Sequence, residues 1–442
     1  MTHEAHPQEP YACRSPEHII SRRRFFGDIV AGSLATGGLA ASGFTGFTHS
    51  AVASSLKKQA KQVLLVFQHG GLSQLESWDP KPHTDTGGPM RPIATSVPGI
   101  HVCELLPHTA RLMHHMTLLR GLSTGDNNHD SARVTMLTGW KQGVVGGDNP
   151  SMGAICTKFL QGEQSPQPSY VVLCNRPQWH LSALHDASFL GSQYAPVVAY
   201  DEAPPDNLVS PVEREARIVS RRAALRRRFA QRFARDRRSA RTDAYDTAFD
   251  KALQLMERQQ LFDLSQIPER DHDRYGRHAF GQRCLVARTL LESGCTFVKL
   301  NHGNYDTHFE NFNHHFERLG EFDRPFAALL QDIVDRGLLE TTLVILIGEF
   351  GRTPTINASV GRDHWSDSWS MAMAGCGVKS GGAFGKTNHN GVEVTDGKIN
   401  SFDLFHTFYR ALGLDAHEEI FDGDRPVTLA DPHGKAVEEV LA

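Results

Sequence analysis

Short runs of consecutive apolar residues alternate along the chain with longer stretches in which apolar residues recur every three or four positions. The apolar runs favour buried strands at residues 63–67, 171–174, 296–300, 343–347 and 371–374. The periodic stretches favour helices at residues 107–116, 150–160, 275–293 and 316–336. Strands that alternate with helices are typical of a mostly parallel sheet. We therefore predict an α/β fold with a mostly parallel central sheet and helices on both of its faces.

The N-terminal residues have the features of a targeting segment. Residues 21–27 (SRRRFFG) match the twin-arginine export pattern. A weakly apolar stretch rich in glycine and alanine follows at residues 29–47, and residues 51–53 (AVA) offer a cleavage site. A transmembrane anchor is the alternative interpretation, but the stretch is polar for a 20-residue membrane span. We predict a twin-arginine signal peptide at residues 1–53, a periplasmic, cell-envelope or secreted location, and no stable membrane span after its removal.

The near-neutral total charge conceals a basic segment. The 442 residues carry a formal net charge of -4, but residues 212–243 hold twelve arginines against four acidic residues, so the rest of the chain carries -12. Helical composition predicts that residues 211–262 form an Arg-rich helical insertion. Its basic face is either a polyanion surface or a solvated helix face. No stacking aromatics or known nucleic-acid motif accompany it, so we favour the solvated face and expect no nucleic-acid partner.

Polar side chains follow three of the predicted strands. His69 follows the first, Asp306 and His308 follow the third, and Glu349 and Arg352 follow the fourth. The carboxyl ends of parallel strands meet at one edge of a sheet, which is where ligands of α/β proteins bind. We therefore expect these side chains to gather there.

Asp306 and His308, together with His364 in residues 361–365 (GRDHW), form the strongest candidate metal site. A divalent metal needs several Asp, Glu or His donors, and an Asp-x-His loop supplies two of them. Glu349 directly follows an aliphatic strand, where a buried carboxylate is costly unless it is neutralised. Either a metal or an ion pair with Arg352 would neutralise it.

A polar turn at residues 126–133 (DNNHDSAR) leads into a helix that ends in Leu-Thr-Gly. The N-terminus of that helix, with Asn128, Arg133 and Arg352, is a candidate site for an anionic ester. His129 and Ser131 are the candidate nucleophiles. Simple N-capping of the helix by Asn or Asp explains the same residues.

These motifs resemble the bacterial family called domain of unknown function 1501, sulfatase-like secreted proteins placed in the alkaline phosphatase superfamily. The resemblance runs from about residue 62 to the C-terminus. It is carried by residues 78–82 (WDPKP), 136–140 (MLTGW), 273–276 (DRYG), 281–282 (GQ), 285–288 (LVAR), 305–308 (YDTH), 348–354 (GEFGRTP) and 361–365 (GRDHW). It implies that residues 54–442 form an alkaline phosphatase-like domain, with a metal site on the sheet and a nucleophile before the Leu-Thr-Gly helix.

The resemblance also suggests roles for individual residues. Sulfatases place a formylglycine-forming cysteine ten residues before the glycine of Leu-Thr-Gly. Here that position is His129, and Arg133 stands at the arginine of the same motif. Formylglycine chemistry is therefore excluded, and His129 or Ser131 is left as the nucleophile. Asp306 resembles the first residue of the superfamily's metal-binding Asp-x-x-x-His, although His308 follows it more closely here.

His364 resembles the late histidine of the phosphatase site. Three other positions depart from the superfamily pattern. Glu349 replaces the Asp of an Asp-His-Gly motif, and His69 lies where the first strand usually ends in Asp. Glu76 is the last residue of Ser-Gln-Leu-Glu, where the family commonly has Ser-His-Leu-Asp. We expect a divalent metal, zinc, calcium or manganese, bound by Asp306, His308 and His364 and completed by Glu349, with His69 or Glu76 as further candidates.

Two functions follow from these features. The first is an exported, metal-dependent hydrolase that acts on an anionic ester, such as a sulfated or phosphorylated glycan. The alternative is a catalytically degenerate envelope protein that binds polysaccharide or a protein partner. The missing cysteine nucleophile and the missing first-strand Asp motivate this alternative.

Overall fold

A computed structural model describes residues 61–143, 149–161, 168–175, 187–200, 208, 216–237 and 240–442. The predicted signal peptide at residues 1–53 lies outside the described residues. The same holds for residues 211–215 and 238–239 of the predicted insertion.

An eight-stranded sheet forms the centre of the protein, with strand order β12-β4-β11-β8-β1-β7-β5-β6. Its strands are β1 (Gln62–His69), β4 (Met116–Leu122), β5 (Tyr170–Cys174), β6 (Val197–Tyr200), β7 (Phe297–Gly303), β8 (Thr342–Ile347), β11 (Trp369–Gly375) and β12 (Gly382–Phe384). β11 is antiparallel to both of its neighbours, and all the other pairs are parallel. The prediction of a mostly parallel central sheet is therefore confirmed.

Shorter strands form two-stranded ribbons outside this sheet. They are β2 (Pro92–Ala94) with β3 (His101–Cys103), β9 (Gly351–Arg352) with β10 (His364–Trp365), β13 (Lys386–Thr387) with β14 (Val394–Asp396), and β15 (Glu419–Asp422) with β16 (Arg425–Thr428). The helices are α1 (Pro107–Ala110), α2 (His129–Thr138), α3 (Met152–Leu160), α4 (Ala216–Arg237), α5 (Ala240–Glu257), α6 (Glu269–Tyr275), α7 (Ala279–Glu292), α8 (Asn311–Asp335) and α9 (Ser401–Ala411).

Apolar side chains fill both faces of the sheet. In β1, Leu64 and Val66 point into one core, which α7 and α8 cover. Val63, Leu65 and Phe67 alternate with them and point into a second core, which α3 and α9 cover. Because both faces of the strand are buried, it is apolar at nearly every position, which explains the continuous run in the sequence.

The predicted helix at residues 107–116 is shorter in the structure, where α1 ends at Ala110. The amide of Ser96 donates to the carbonyl oxygen of Ala110 at 2.9 Å, so this carbonyl does not continue the helix. A single 3-10 turn follows, and β4 begins directly after it at the buried Met116.

The described part of residues 211–262 is helical. An ion pair between Arg226 and Asp250 at 2.7 Å joins α4 to α5, and the guanidinium of Arg226 lies 4.0 Å from the ring centroid of Phe249. In the part of the chain that the structure describes, no helix is long and apolar enough to cross a membrane.

Lys299 is an ionisable residue inside the central strand β7. Its ammonium group lies 4.5 Å from the ring centroid of Phe67, and the residue is 1% exposed. Burial removes water from the ammonium group and lowers its pKa to about 7. The folded protein thus binds this proton more weakly than the unfolded chain does.

Replacing Lys299 by Met is expected to stabilise the fold at neutral pH. The cost of burying the charge is complete below about pH 7 and disappears above the ordinary lysine pKa, so the native protein gains stability as the pH rises between them. We expect Lys299→Met to raise the free energy of unfolding by about 2–4 kcal/mol at pH 7 and by clearly less at pH 9.5. Urea denaturation at the two pH values measures this difference. The exposed Lys379→Met is the control, and an equal gain at both pH values would contradict the expectation.

Candidate metal centre

Candidate ligands from four separate chain segments meet at the carboxyl edge of the sheet. The loop after β7 carries Asp306 and His308, and Glu349 follows β8. The helix α2 begins at His129. The ribbon of β9 and β10 pairs Arg352 with His364 and so returns this histidine to the same edge.

The centre is built around the carboxylate of Asp306. Its oxygens lie 3.3 Å from Nε2 of His129, 3.0 Å from Nε2 of His308 and 3.2 Å from Nε2 of His364. The Nε2 atoms of His308 and His364 are 3.0 Å apart. Donor atoms bound to one tetrahedral zinc at about 2.0–2.1 Å are separated by roughly 3.3 Å, and each of these four contacts has about that length. Among the described residues, one group of His, Cys, Asp and Glu side chains has ligand atoms that all lie within 4.8 Å of one another, and it consists of His129, Asp306 and His364. His308 adjoins this group through its contacts with Asp306 and His364.

An oxygen acceptor orients each of the three imidazoles through its other nitrogen. The Nδ1 atoms lie 2.7 Å from Glu349 for His129, 2.6 Å from Asp363 for His308, and 2.7 Å from the carbonyl oxygen of Asn127 for His364. Carboxylate and carbonyl oxygens accept, so each Nδ1 donates, and a neutral imidazole then has a lone pair on Nε2. Lone pairs at this spacing repel one another unless a cation or a proton lies among them. The donor set therefore fits a bound metal, because metal-binding histidines typically have acceptors of this kind.

Protons compete with a metal for this centre. Burial disfavours the charged form of His129, but the carboxylates of Asp306 and Glu349 outweigh that effect and raise its pKa to about 9. Burial opposes ionisation of Asp306 as well, yet the neighbouring His129, His364 and Arg352 hold the pKa of this carboxyl well below its usual range. A metal that binds at neutral pH therefore displaces a proton.

Arg352 holds Asp306 in place. Its guanidinium is fully buried and lies 2.6 Å from the Asp306 carboxylate, and it also donates to the carbonyl oxygens of Gly70 and Gly71. Gly70 is required here, because its φ is +102° and a Cβ would collide with the backbone at Asp306. The sequence suggests that Arg352 binds substrate, whereas the structure places its guanidinium against Asp306 and the main chain.

The N-terminus of α2 is capped from within. The side chain of Asn128 accepts from the amides of Asp130 and Ser131, as the N-capping alternative predicts. The Ser131 hydroxyl lies 3.5 Å from the carbonyl oxygen of Asn128. Arg133 donates to the carbonyl oxygen of His129 and lies 3.9 Å from Glu349. Of the expected catalytic residues, the structure thus brings His129 to the three other donors and Arg133 to its supporting carboxylate.

Two further residues in the predicted ligand set lie apart from the four donors. The carboxylate of Glu76 is fully buried in a bidentate ion pair with Arg362, at 2.8 and 3.0 Å. His69 packs against Gly303, and burial lowers its pKa to about 4. Glu349 reaches the centre through Nδ1 of His129 and accepts from the amide of Gly70 at 2.9 Å. Its position is that of a residue that orients a ligand.

Asp363 and Phe350 complete the centre. The carboxylate of Asp363 fixes the ring of His308. The ring of Phe350 packs on those of His129 and His364, with centroids 4.8 and 4.7 Å apart. Asp363 could have been found from its place beside His364 in residues 361–365, because metal-binding histidines are commonly supported by carboxylates.

The fold and the site together define an α/β protein with a candidate metal centre at the carboxyl edge of its sheet. The chain belongs to the family described as protein of unknown function (DUF1501), whose model matches residues 60–441. No curated protein matches the chain.

Several solved structures are similar to this chain at low sequence identity. The lipoteichoic acid synthase LtaP from Listeria monocytogenes is 10% identical, with 85% of this chain and 76% of that chain covered and a TM-score of 0.36. The PsFucS1 sulfatase from Pseudoalteromonas sp. is 13% identical, with 83% and 70% covered and a TM-score of 0.40. The C-terminal periplasmic domain of EcEptC from Escherichia coli, in complex with Zn, is 10% identical, with 85% and 87% covered and a TM-score of 0.39.

Proposed function

We propose that this protein is an exported, metal-dependent hydrolase of sulfate or phosphate esters. The main support is the convergence of three histidine Nε2 atoms on the carboxylate of Asp306. The side chain of Asp306 is 43% exposed, so an ester in solution has access to the centre. The twin-arginine pattern at residues 21–27 is the support for export.

In this proposal His129, Asp306, His308 and His364 would be the protein ligands of the metal, and water or the ester would be its fifth ligand. Zinc or manganese suits this mixture of nitrogen and oxygen donors better than calcium, which prefers oxygen ligands throughout. When bound, such a metal polarises the ester and lowers the pKa of a coordinated water.

The chain's own residues orient the donors and bind the substrate anion. Glu349, Asp363 and Arg352 fix His129, His308 and Asp306 respectively. Arg133 is the candidate for binding the anionic group, because its guanidinium lies beside His129 at the start of α2. Both nitrogens of His129 face carboxylates, an arrangement that suits a ligand better than a nucleophile. Water is then the attacking group, and no protein nucleophile is needed.

A second candidate is an envelope protein that keeps a structural metal and binds polysaccharide or a protein partner. It is favoured by the position of Ser131, whose hydroxyl lies 3.5 Å from the carbonyl oxygen of Asn128 and does not contact the four donors. In this case the same donors would stabilise the fold without turnover.

Metal analysis and a substrate panel distinguish the two candidates. Protein purified without chelator is expected to contain about one metal per chain, and it is expected to hydrolyse at least one member of a panel of aryl sulfates, phosphomonoesters and phosphodiesters. His364→Ala is expected to lose both the metal and the activity, whereas the exposed His389→Ala keeps both. Stoichiometric metal with no turnover would favour the binding protein. A metal-free wild-type protein, or full retention of activity in His364→Ala, would refute the hydrolase.

A further inference from the structure

A cavity of about 220 Å³ lies at the same edge of the sheet as the metal centre. Its lining comes from the ends of three adjacent parallel strands: His69 from β1, His302 and Gly303 from β7, and Asn175 after β5. His69 and Gly303 are paired in register. In the sheet order β8-β1-β7-β5, the cavity lies at the ends of β1, β7 and β5. Glu349 of the metal centre follows β8, on the opposite side of β1 from β7.

Two arginines give this cavity its charge. Arg283 is 2% exposed and extends from the buried side of α7, where its guanidinium donates to the side chain of Asn175. Arg318 enters from α8 and lies 2.8 Å from Glu321, the one carboxylate among the described lining residues. The described lining therefore has two guanidinium groups against one carboxylate, which gives it a net positive charge. A guanidinium presents a planar fork of donors that matches the oxygens of sulfate, phosphate and carboxylate groups.

His302 adds a polar atom to the wall of the cavity. The residue is 3% exposed, and its Nδ1 lies 2.8 Å from the hydroxyl of Tyr305. Its Nε2 atom makes no hydrogen bond within the described structure, and it lies 3.8 Å from Glu321. A buried polar atom without a partner is costly, which suggests that this atom contacts a ligand.

We propose that this cavity is a second anion-binding subsite, in which Arg283 and Arg318 hold an acidic group of a substrate whose ester lies at the metal centre. The inference rests on the proposed hydrolase function and narrows its substrate class to molecules with two anionic groups, such as a glycan that carries a second sulfate, phosphate or carboxylate. A free inorganic anion has the same chemistry, and the test separates the two sources.

The test measures binding and does not require turnover. Metal-loaded protein is titrated calorimetrically with inorganic sulfate, with a singly sulfated disaccharide and with a doubly sulfated one. We expect the second sulfate to strengthen binding by about tenfold. Arg318→Gln is expected to reduce this gain to less than about threefold, and Arg283→Lys, which keeps the charge but loses the fork, is expected to reduce it partly.

Arg324→Gln is the matched control, since Arg324 is an exposed arginine on the same helix that donates to the carbonyl oxygen of Asp273. It is expected to keep the full gain, and thermal unfolding checks that each variant is folded. Equal affinity of the two disaccharides, or equal losses in Arg318→Gln and Arg324→Gln, would overturn the subsite. If Arg318→Gln weakens inorganic sulfate alone, the cavity binds a free anion and not a substrate group.

Failure of the anion-binding subsite and failure of the proposed hydrolase function give different experimental results. A protein that binds the doubly sulfated compound more tightly but hydrolyses no ester has the subsite without the activity. Where hydrolysis is found, Arg318→Gln is expected to raise KM for the doubly sulfated substrate and to leave kcat nearly unchanged, because the group lies away from the reacting ester.

Discussion

Replacing Asp306 by Asn is expected to remove the metal and to lower ester hydrolysis by about a hundredfold or more. Asp306 contacts Nε2 of His129, His308 and His364 at 3.0–3.3 Å, so it is the residue common to the whole donor set. Asparagine has nearly the same shape, but it carries no charge and binds a divalent cation weakly. Metal content by mass spectrometry and initial rates on the best ester of the panel measure the two losses.

Two comparisons make this result specific. The exposed Asp424→Asn variant removes the same charge elsewhere and is expected to keep both metal and activity. Because Asp306 also neutralises the buried Arg352, thermal unfolding of each variant shows whether a loss of folding explains the loss of metal. An Asp306→Asn protein that stays folded with full metal and full activity would refute the proposed centre.

The sequence predicts the central strands well because each is buried on both faces. The run at residues 343–347 is aliphatic at every position, and the structure buries all of β8. The pattern does not separate β4 from the preceding helix, since the apolar residues of 107–116 continue into Met116–Leu122 without a turn signal. The end of α1 depends on a hydrogen bond from Ser96, which a local pattern does not contain.

The sequence predicts those residues of the candidate site whose neighbours in the chain already indicate a metal ligand. Asp306 and His308 stand in a short polar segment after an apolar run, His364 stands in a polar segment before one, and the structure brings the three together. The position of His129 is different, because its approach to Asp306 depends on the direction in which α2 leaves its loop. The sequence suggests a nucleophile there, whereas the geometry favours a ligand.

Ion pairs between residues far apart in the chain are a second reason why the sequence does not predict the whole site. Glu76 and Arg362 are 286 positions apart, and neither local sequence indicates the other. Similarity of residues 73–76 to the family's Ser-His-Leu-Asp suggests a metal ligand at Glu76. The partner of a buried carboxylate, however, is known only once the fold is known.

Replacing Glu76 by Gln is expected to lower the free energy of unfolding by about 3–5 kcal/mol while the protein still binds its metal. Both side chains of the Glu76–Arg362 pair are fully buried. Burial opposes ionisation of Glu76, but Arg362 outweighs it and keeps the carboxyl pKa below its ordinary value. The substitution therefore leaves a buried guanidinium without its counter-charge. Urea denaturation measures the loss, and metal content is measured well below the unfolding transition.

Arg362→Met is expected to lower the free energy of unfolding by a similar amount. The double variant is expected to lower it by less than the sum of the two single losses, because it leaves no charge unpaired. Loss of metal without loss of stability would instead identify Glu76 as a ligand.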